Sequence, residues 1–350
     1  MSDPLRTATL PPELPADLPK GRRAGITTTV PVEVIFAAGL VPVDLNNLFV
    51  ASRRSEELAE AAERAGFPRT CCCWTKGIYG AVHSAGIELV IGVTRGDCSN
   101  AEALLEVLRH EGTRCVTFDY PRRRDPAQMQ AALRELAGAL RADLDEAERW
   151  RQRLAPARAA AAEIDRLSWQ QARVSGLENH LWLVSASDFC ADPARYQAEA
   201  ERFLTQARSR QPIPHVLRLG LCGVPPIVPD LYGFVERMGA LILYNETQRQ
   251  FAMLEPAGSL AEQYSRYTYP YGVYPRIEDI RGECKRRRLD GLIHYVQSFC
   301  HRRIEDRIIR QSVELPVLTL EADRPGPLSG QLKTRLEAFV QMLIARKRRR

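Results

Sequence analysis

Several motifs that indicate common enzyme classes are missing from this chain of 350 residues. Neither Gly-x-Gly-x-x-Gly nor the Walker phosphate-binding pattern is present, so an ATPase or a nicotinamide-dependent dehydrogenase is poorly supported. His-Glu-x-x-His and Gly-x-Ser-x-Gly are missing as well, and a serine hydrolase is equally poorly supported. The chemistry of this chain must therefore be sought in other residues.

Long apolar runs are also missing. No stretch of about 20 uncharged apolar residues occurs, so the sequence predicts no membrane span. The first 20 residues lack the apolar core of a signal peptide, and the five prolines among them predict an extended tail over residues 1–20. We therefore expect a cytoplasmic location and no membrane partner.

The composition is that of an ordinary globular protein, with 45% hydrophobic and 26% charged residues, and the length is enough for two domains. Much of the net charge of +6 comes from residues 285–288 and from the terminal segment 346–350. Such a terminus is either a solvated end or a contact for RNA or an acidic partner. Aromatic residues are not interleaved with the basic ones, as base stacking requires, so we expect no nucleic-acid partner.

The chain contains nine cysteines. Without a secretion signal they argue against a disulfide framework, and the lack of paired Cys-x-x-Cys motifs argues against structural zinc. Cys71, Cys72 and Cys73 are consecutive. Because neighbouring side chains leave the backbone in different directions, at most one or two of these three thiols can face a common site.

Strand and helix patterns alternate along the first third of the chain. Short apolar runs rich in β-branched residues predict strands, and segments with helix-start and helix-end residues predict helices. The predicted strands are 41–45, 87–94 and 115–119, and the predicted helices are 31–39, 56–65, 74–84 and 101–110, the last capped by Ser99 or Asn100. This β-α-β-α order implies a parallel sheet with helices on both faces.

A helical segment separates this region from a second alternating one. Residues 125–210 are rich in Ala, Leu, Glu and Arg, and Ser175 and Glu178 form a capping box that starts one helix. Strands are then predicted at 216–220, 240–244, 291–296 and 316–321, and helices at 231–238 (capped by Asp230), 277–287, 303–313 and 332–345. We therefore predict an N-terminal α/β domain over 21–135, a helical connector over 136–210 and a C-terminal α/β domain over 211–350.

Cys98 and Cys300 occupy equivalent places in the two predicted α/β halves. Each comes just after an apolar run predicted to be a buried strand and just before a predicted helix. In open α/β sheets, ligands bind at this carboxyl edge. If Cys72 converges on the same place, the three thiolates can hold three irons of a [4Fe–4S] cluster and leave the fourth iron for another ligand. The alternative for any single cysteine is core packing, and Cys190 and Cys222 also lie near turn-like positions.

Other polar residues are candidates for the same cleft. Glu246 follows a predicted strand and is a candidate acid or base, the alternative being a surface glutamate. Thr28, within the threonine run 27–29, is the second catalytic candidate because its hydroxyl can donate a hydrogen bond, the alternative being β-propensity alone. Lys76 and Tyr79 can reach a substrate phosphate or carbonyl, unless they are a surface lysine and a half-buried tyrosine.

Short motifs resemble those of one protein family in their order and spacing. In the first half they are Pro31-Val-Glu-Val-Ile-Phe-Ala-Ala-Gly-Leu-Val-Pro42, Cys72-Cys-Trp-Thr-Lys-Gly-Ile-Tyr-Gly80 and Gly96-Asp-Cys-Ser99. In the second half they are Gly223-Val-Pro-Pro226, Glu236-Arg-Met-Gly-Ala240, Asp290-Gly-Leu-Ile-His294, Phe299-Cys300, Leu315-Pro-Val-Leu-Thr-Leu-Glu-Ala-Asp323 and Thr334-Arg-Leu-Glu-Ala-Phe339. Over residues 24–343 the chain resembles the 2-hydroxyacyl-CoA dehydratase family, which includes 2-hydroxyglutaryl-CoA dehydratase D-component subunits and the related benzoyl-CoA reductase subunits.

The resemblance implies two Rossmann-like domains, so the predicted fold class is α/β, with two Rossmann-like parallel-sheet domains and a helical insertion between them. It also implies a [4Fe–4S] cluster between the domains, held by Cys72, Cys98 and Cys300. Among the three consecutive cysteines, Cys72 is the one that matches the family ligand, because Lys76 follows it by four residues and a Tyr-Gly pair comes next.

The activity that the resemblance implies is dehydration of a 2-hydroxyacyl-CoA thioester by two homologous subunits. An ATP-dependent iron–sulfur activator protein injects one electron of low potential, the thioester becomes a ketyl radical that expels its hydroxyl as water, and the electron is returned. This chain is then the iron–sulfur subunit of such a lyase. The alternatives are a subunit of a benzoyl-CoA reductase-like or double-cubane-type reductase, a non-catalytic electron-transfer companion, and a relative that has lost its cluster.

Two places depart from the family pattern. Many relatives carry a cysteine or a polar pair where this chain has Thr27 and Thr28, and often a cysteine where it has Gln248. We expect these differences to affect how substrate or water is held near the fourth iron.

Overall fold

The computed structural model describes residues 11–349 except residues 12, 14, 16 and 53. The extended tail predicted over residues 1–20 lies mostly outside the described residues, and the last residue of the basic terminus, at position 350, lies outside them as well. No helix within the described ranges is both long and apolar enough to cross a membrane.

Among its described residues, the first α/β half contains four strands and five α-helices. The strands are β1 (Arg23–Ile26), β2 (Val41–Asp44), β3 (Leu89–Val93) and β4 (Arg114–Phe118). They form one sheet in the order β2-β1-β3-β4, and all of its pairs are parallel. The helices are α1 (Val32–Ala37), α2 (Leu45–Ala51), α3 (Ser55–Arg64), α4 (Cys73–Ala85) and α5 (Ser99–His110).

Four helices follow and form the predicted insertion. They are α6 (Pro126–Leu140), α7 (Leu144–Gln171), α8 (Gly176–Ser185) and α9 (Pro193–Ser209). The capping box predicted at the start of α8 is confirmed: the Ser175 side chain accepts from the Glu178 N–H, and the Glu178 carboxylate accepts from the Ser175 N–H.

The second α/β half repeats the topology of the first. Its strands are β5 (Leu217–Gly223), β6 (Ala240–Asn245), β7 (Gly291–Gln297) and β8 (Val317–Ala322). They form a parallel sheet in the order β6-β5-β7-β8. The helices are α10 (Leu231–Arg237), α11 (Glu246–Ala252), α12 (Leu260–Arg266), α13 (Val273–Arg286), α14 (Arg302–Ser312) and α15 (Gly330–Arg348). The fold class, α/β with two Rossmann-like parallel-sheet halves, is confirmed.

Two predicted helix caps differ from the structure. Helix α5 begins at Ser99, so its N-cap is Cys98 and the prediction of Ser99 or Asn100 as the cap is wrong. Asp230 does precede α10, but its side chain makes no cap hydrogen bond and accepts instead from the Leu328 N–H at 2.8 Å. The Asp230 side chain therefore makes a tertiary hydrogen bond to the Leu328 backbone instead of a local cap on α10.

Buried ion pairs fasten the insertion to both halves. Arg158 of α7 is paired with Glu33 of α1, and both side chains are buried. The Glu33 carboxylate also accepts from Tyr264 Oη at 2.7 Å. On the other side, Arg287 just after α13 donates two hydrogen bonds to Asp165 of α7, at 2.9 and 2.7 Å. Charges that are buried and paired in this way are costly to separate, so they fix how the three parts meet.

Candidate functional site

Each of the three candidate cysteines lies within two residues of the start of a helix. Cys72 is the N-cap of α4 and Cys98 is the N-cap of α5. Cys300 comes two residues before α14, in the turn that leaves β7. Before it, Phe299 adopts a φ of 64°, a left-handed conformation that is strained for a bulky residue. The surrounding fold thus holds this turn in place against a local cost.

Two glycines of the Lys-Gly-Ile-Tyr-Gly motif seat α4, and with it Cys72. A Cβ on Gly80 would lie 2.2 Å from the Leu58 carbonyl oxygen of α3, and a Cβ on Gly77 would lie 2.4 Å from the Phe49 ring. The Leu58 backbone cannot yield at such a distance, so only glycine at position 80 lets α4 approach α3 this closely. The motif therefore has a packing reason that is independent of any ligand.

All three cysteines line one cavity, which has a volume of about 500 Å³. The charge of each thiolate raises the pKa of another thiol. The charge of Cys98 raises the pKa of Cys72, the charge of Cys300 raises the pKa of Cys98, and the charge of Cys72 raises the pKa of Cys300. Two of the cysteines come from the first half of the chain and one from the second. The cavity is therefore built at the junction of the two halves.

Burial and helix position act on these thiols in opposite directions. Burial is the largest effect and raises the pKa of Cys98 to about 11, with a further contribution from the charge of Asp97. Hydrogen bonding from the backbone N–H groups of Ala101 and Asn100, in the first turn of α5, lowers the pKa of the same thiol. Backbone N–H groups at the start of α4 act likewise on the pKa of Cys72. These N–H groups favour the thiolate once a cation compensates for burial.

The consecutive cysteines have different surroundings. Cys72 lines the cavity, whereas Cys73 is 2% exposed and packs in an apolar cluster with Phe49 and Ala59. Burial raises the pKa of Cys73 to about 12. Cys71 is half-buried and does not belong to the described cavity wall. The structure therefore brings Cys72, Cys98 and Cys300 together and leaves the two neighbours of Cys72 outside.

Unpaired polar groups lie in the wall near the thiols. Thr27 and Thr28 follow β1 and both line the cavity, Thr27 buried and Thr28 half-buried. Gln297, at the end of β7, lines it as well. Within the described residues, Thr27 Oγ1 and Gln297 Oε1 are buried without a hydrogen-bond partner. Buried polar atoms are rarely left unpaired, so these two atoms are available to a ligand.

Arg302 and Tyr269 form the wall beside Cys300. The Arg302 guanidinium lies 3.7 Å from the centroid of the Tyr269 ring and donates to the Tyr269 carbonyl oxygen at 3.1 Å. It also donates to Glu305 at 3.3 Å. Both residues line the cavity, and their mutual contacts hold the ring against the turn that carries Cys300.

His180 is a cavity residue that no sequence motif indicated. It belongs to α8 of the insertion and is buried, and burial lowers its pKa to about 4. Gln248 Nε2 donates to His180 Nδ1 at 2.7 Å. Since Nδ1 accepts this hydrogen bond, the proton of the neutral ring resides on Nε2. The one sequence signal for His180 is its spacing along α8, which places it on the same helix face as Leu177, Leu181 and Val184.

Glu246 does not reach the described cavity wall. Its carboxylate is fully buried and accepts from the Arg276 guanidinium at 2.8 and 2.9 Å and from the Gly223 N–H at 2.9 Å. Burial alone would raise the pKa of Glu246, but the charge and hydrogen bonds of Arg276 hold it below its usual value. This buried carboxylate is not the surface glutamate of the alternative interpretation, and its role as an acid or base stays a prediction.

Lys76 and Tyr79 also point away from the described wall. Lys76 is buried, and its Nζ contacts Glu63 Oε1 at 2.7 Å. The alternative interpretation of Lys76 as a surface lysine is therefore wrong. Tyr79 donates from its hydroxyl to Glu111 at 3.0 Å. Both side chains are thus engaged within the first half, where they pack α4 against its neighbours.

Cys190 and Cys222 lie in the protein interior. Burial raises the pKa of both thiols, and neither belongs to the wall of the cavity among the described residues. Cys222 packs in an apolar cluster with residues such as Leu241 and Ile280. For these two cysteines, core packing is what the structure shows.

Comparison with known proteins identifies the family to which this chain belongs. A search of curated proteins finds no match to the chain. The profile of the family described as 2-hydroxyglutaryl-CoA dehydratase, D-component, matches residues 27–343, which include all three cysteines of the cavity. The chain therefore belongs to the family of the 2-hydroxyglutaryl-CoA dehydratase D-component.

Proposed function

We propose that this chain is the iron–sulfur subunit of a 2-hydroxyacyl-CoA dehydratase-like enzyme, in which Cys72, Cys98 and Cys300 hold a [4Fe–4S] cluster. The observation that carries this proposal is the convergence of the three thiols on one cavity at the starts of three helices. The family match provides the dehydratase context.

The donor set is three thiolates, the ligand type that [4Fe–4S] clusters take in proteins. No group of three or more His, Cys, Asp or Glu side chains in the described chain is placed to hold one metal ion. In a [4Fe–4S] cluster each cysteine binds a different iron, so the ligand sulfurs stand farther apart than those around one ion. Three thiolates leave one iron for a ligand that is not a cysteine, and no fourth cysteine belongs to the described cavity wall.

When bound, the cluster would supply one electron of low potential to the thioester, which lets the 2-hydroxyl leave as water, and would recover the electron afterwards. The chain's own residues would bind and orient the substrate. Thr27 Oγ1 can donate to a substrate oxygen, Gln297 Oε1 can accept from the 2-hydroxyl, and Thr28 offers a second hydroxyl beside Thr27. This retains Thr28 as a candidate for contact with the substrate.

The proposal includes two protein partners. The sequence has no nucleotide-binding loop with which to drive an electron uphill, so a separate ATP-dependent iron–sulfur activator is needed. The family is described as one component of a dehydratase, which supports a homologous second subunit. The acyl-CoA substrate then enters a cavity on this chain while the electron arrives from outside it.

Iron content tests the proposal directly. Purified under anaerobic conditions, the wild-type chain should contain bound iron, and Cys98→Ala and Cys300→Ala should lose most of it. Cys115→Ala is the matched control, because Cys115 is a half-buried cysteine whose thiol contacts the Thr113 carbonyl oxygen and which does not line the cavity. Full iron retention in both Cys98→Ala and Cys300→Ala would rule out the assignment.

A further inference from the structure

The first residue of α14 brings a buried positive charge into the cavity wall. Arg302 comes two residues after Cys300, and its side chain is 6% exposed. Its guanidinium lies 3.7 Å from the centroid of the Tyr269 ring and donates to the Tyr269 carbonyl oxygen at 3.1 Å. The charge is therefore fixed in place beside the turn that carries Cys300 and is largely shielded from solvent.

Arg302 is the last member of a chain of four alternating charges. The Glu246 carboxylate accepts from Arg276 at 2.8 and 2.9 Å. The Glu305 carboxylate accepts from Arg276 at 2.5 Å and from Arg302 at 3.3 Å. Of these four side chains, Arg302 is the one that belongs to the described cavity wall. The positive end of the chain of charges therefore reaches the cavity.

The counter-charge of Arg302 is shared with a second arginine. Glu305 Oε2 accepts from both guanidinium groups, and its contact with Arg276 is shorter than its contact with Arg302 by 0.8 Å, since the two distances are 2.5 and 3.3 Å. One carboxylate that lies closer to another cation compensates the charge of Arg302 only in part. A net positive effect therefore remains at the cavity end.

These two charges act on the Cys300 thiol with opposite signs. Burial is the largest effect and raises the pKa of Cys300. The backbone N–H and the positive charge of Arg302 act to lower this pKa, whereas the negative charge of Glu305 acts to raise it. Burial also raises the pKa of Asp97 in the cavity wall, and the charge of Arg302 acts against that effect too. The charge of Arg302 thus reaches two sides of the thiol end of the cavity.

We propose that Arg302 sets the reduction potential of the cluster, because its fixed positive charge stabilises the reduced form, and that Glu305 limits this effect. The inference rests on the proposed function, since it assigns a role toward the cluster that Cys300 would hold. The potential of an iron–sulfur cluster depends on the charges, hydrogen bonds and solvent exposure around it. Reduction adds one negative charge, so a nearby buried cation makes it easier.

Redox titration of the full chain tests the inference without any substrate. The chain is purified anaerobically, and the midpoint potential is measured from the electron paramagnetic resonance signal that appears as the solution potential is lowered. Arg302→Gln removes the charge and should have a more negative midpoint potential than the wild type. Arg302→Lys keeps the charge and should stay nearer to the wild type than Arg302→Gln does. An unchanged or more positive midpoint potential in Arg302→Gln would overturn the inference.

A second variant reverses the expected sign. Glu305→Gln removes the negative charge that partly compensates Arg302 and changes little in shape, so its midpoint potential should be more positive than that of the wild type. A purely structural role of Arg302, in holding Tyr269 against the turn, predicts no such pair of opposite shifts. If Arg302→Gln does not retain the cluster, an unchanged or more negative midpoint potential in Glu305→Gln still overturns the inference.

The next residue along α14 provides the matched control. The Arg303 side chain is 51% exposed, contacts Glu321 at 3.1 Å and does not belong to the described cavity wall. Arg303→Gln changes the net charge by the same amount as Arg302→Gln, but solvent screens an exposed charge, so the midpoint potential should stay close to that of the wild type. A shift as large as that of Arg302→Gln would mean that net charge rather than the place of Arg302 sets the potential, and would overturn the inference.

The failure of the inference is distinguishable from the failure of the proposed function. Iron that depends on Cys98 and Cys300, together with a midpoint potential that responds to neither Arg302→Gln nor Glu305→Gln, would overturn the role of Arg302 and leave the iron–sulfur subunit intact. A wild-type chain that holds no iron after anaerobic purification would overturn both.

Discussion

Gln248 Nε2 donates a hydrogen bond to Nδ1 of His180, with 2.7 Å between the two nitrogens, and both side chains are buried. The contact joins α11 of the second half to α8 of the insertion. The Gln248 amide fixes which ring nitrogen of His180 carries the proton. Burial favours the neutral form of this ring in the wall of the cavity.

This buried histidine makes stability depend on pH. The pKa of His180 is lowered by burial to about 4 in the folded chain, against an ordinary value of 6.5, so between these two pH values the unfolded chain binds more protons. Stability is therefore lost as the pH falls from 6.5 to 4, by about 3 kcal/mol if this group acts alone. In His180→Gln that loss should be absent.

Chemical denaturation at pH 7 and at pH 4.5 measures the effect. The wild type should lose about 2 kcal/mol more of its unfolding free energy than His180→Gln over this interval. Other titrating groups are common to both proteins, so they cancel in the comparison. Parallel pH dependence in the two proteins would show that His180 is not held neutral by the fold.

The variant Glu246→Gln distinguishes a structural role of Glu246 from a catalytic role. Glu246→Gln leaves the buried Arg276 guanidinium without its main counter-charge and should destabilise the chain by about 3 kcal/mol. Because Glu246 does not contact the described cavity wall, folded Glu246→Gln should bind thioesters as the wild type does. Denaturation and titration together check this. Unchanged stability with lost thioester binding would return Glu246 to the site.

The triple cysteine provides a prediction with internal controls. Cys72→Ser should lose the most iron, because Cys72 is the one of the three that lines the cavity. Cys71→Ser and Cys73→Ser should retain most of the iron, and Cys73→Ser should mainly affect packing beside Phe49. Iron analysis of the three variants, purified side by side, measures this. A larger loss in either neighbour would mean that the ligand has been placed one residue off.

The sequence predicted the parts of this fold that local patterns control. Apolar runs of β-branched residues gave the strands β2 to β8, and the carboxyl edges of β3 and β7 led to Cys98 and Cys300. The short helices α2, α11 and α12 were not predicted. Helices α1 and α10 are equally short, and they were predicted from the residues at their starts, Pro31 and Asp230, rather than from a 3.6-residue period.

Long-range pairing accounts for what the sequence could not predict about the site. Glu246 was an acid–base candidate from its place after β6, but its partner Arg276 lies 30 residues away, and such a pairing has no local signal. The hydrogen-bond partner of His180 is Gln248, which lies 68 residues further along the chain. The position of a residue after a strand can be predicted from the sequence, whereas its counter-charge depends on tertiary packing.

Turnover should require proteins beyond this chain. The proposed reaction needs an electron of very low potential, and the sequence contains no loop that binds a nucleotide to drive its transfer. We therefore expect no turnover of 2-hydroxyacyl-CoA or aromatic acyl-CoA thioesters by the isolated chain, even when it carries iron. Turnover should appear when an ATP-dependent activator, ATP, a reductant and the homologous subunit are added. The assay measures product with each component omitted in turn, and steady turnover by the isolated chain without ATP would instead indicate a self-sufficient reductase.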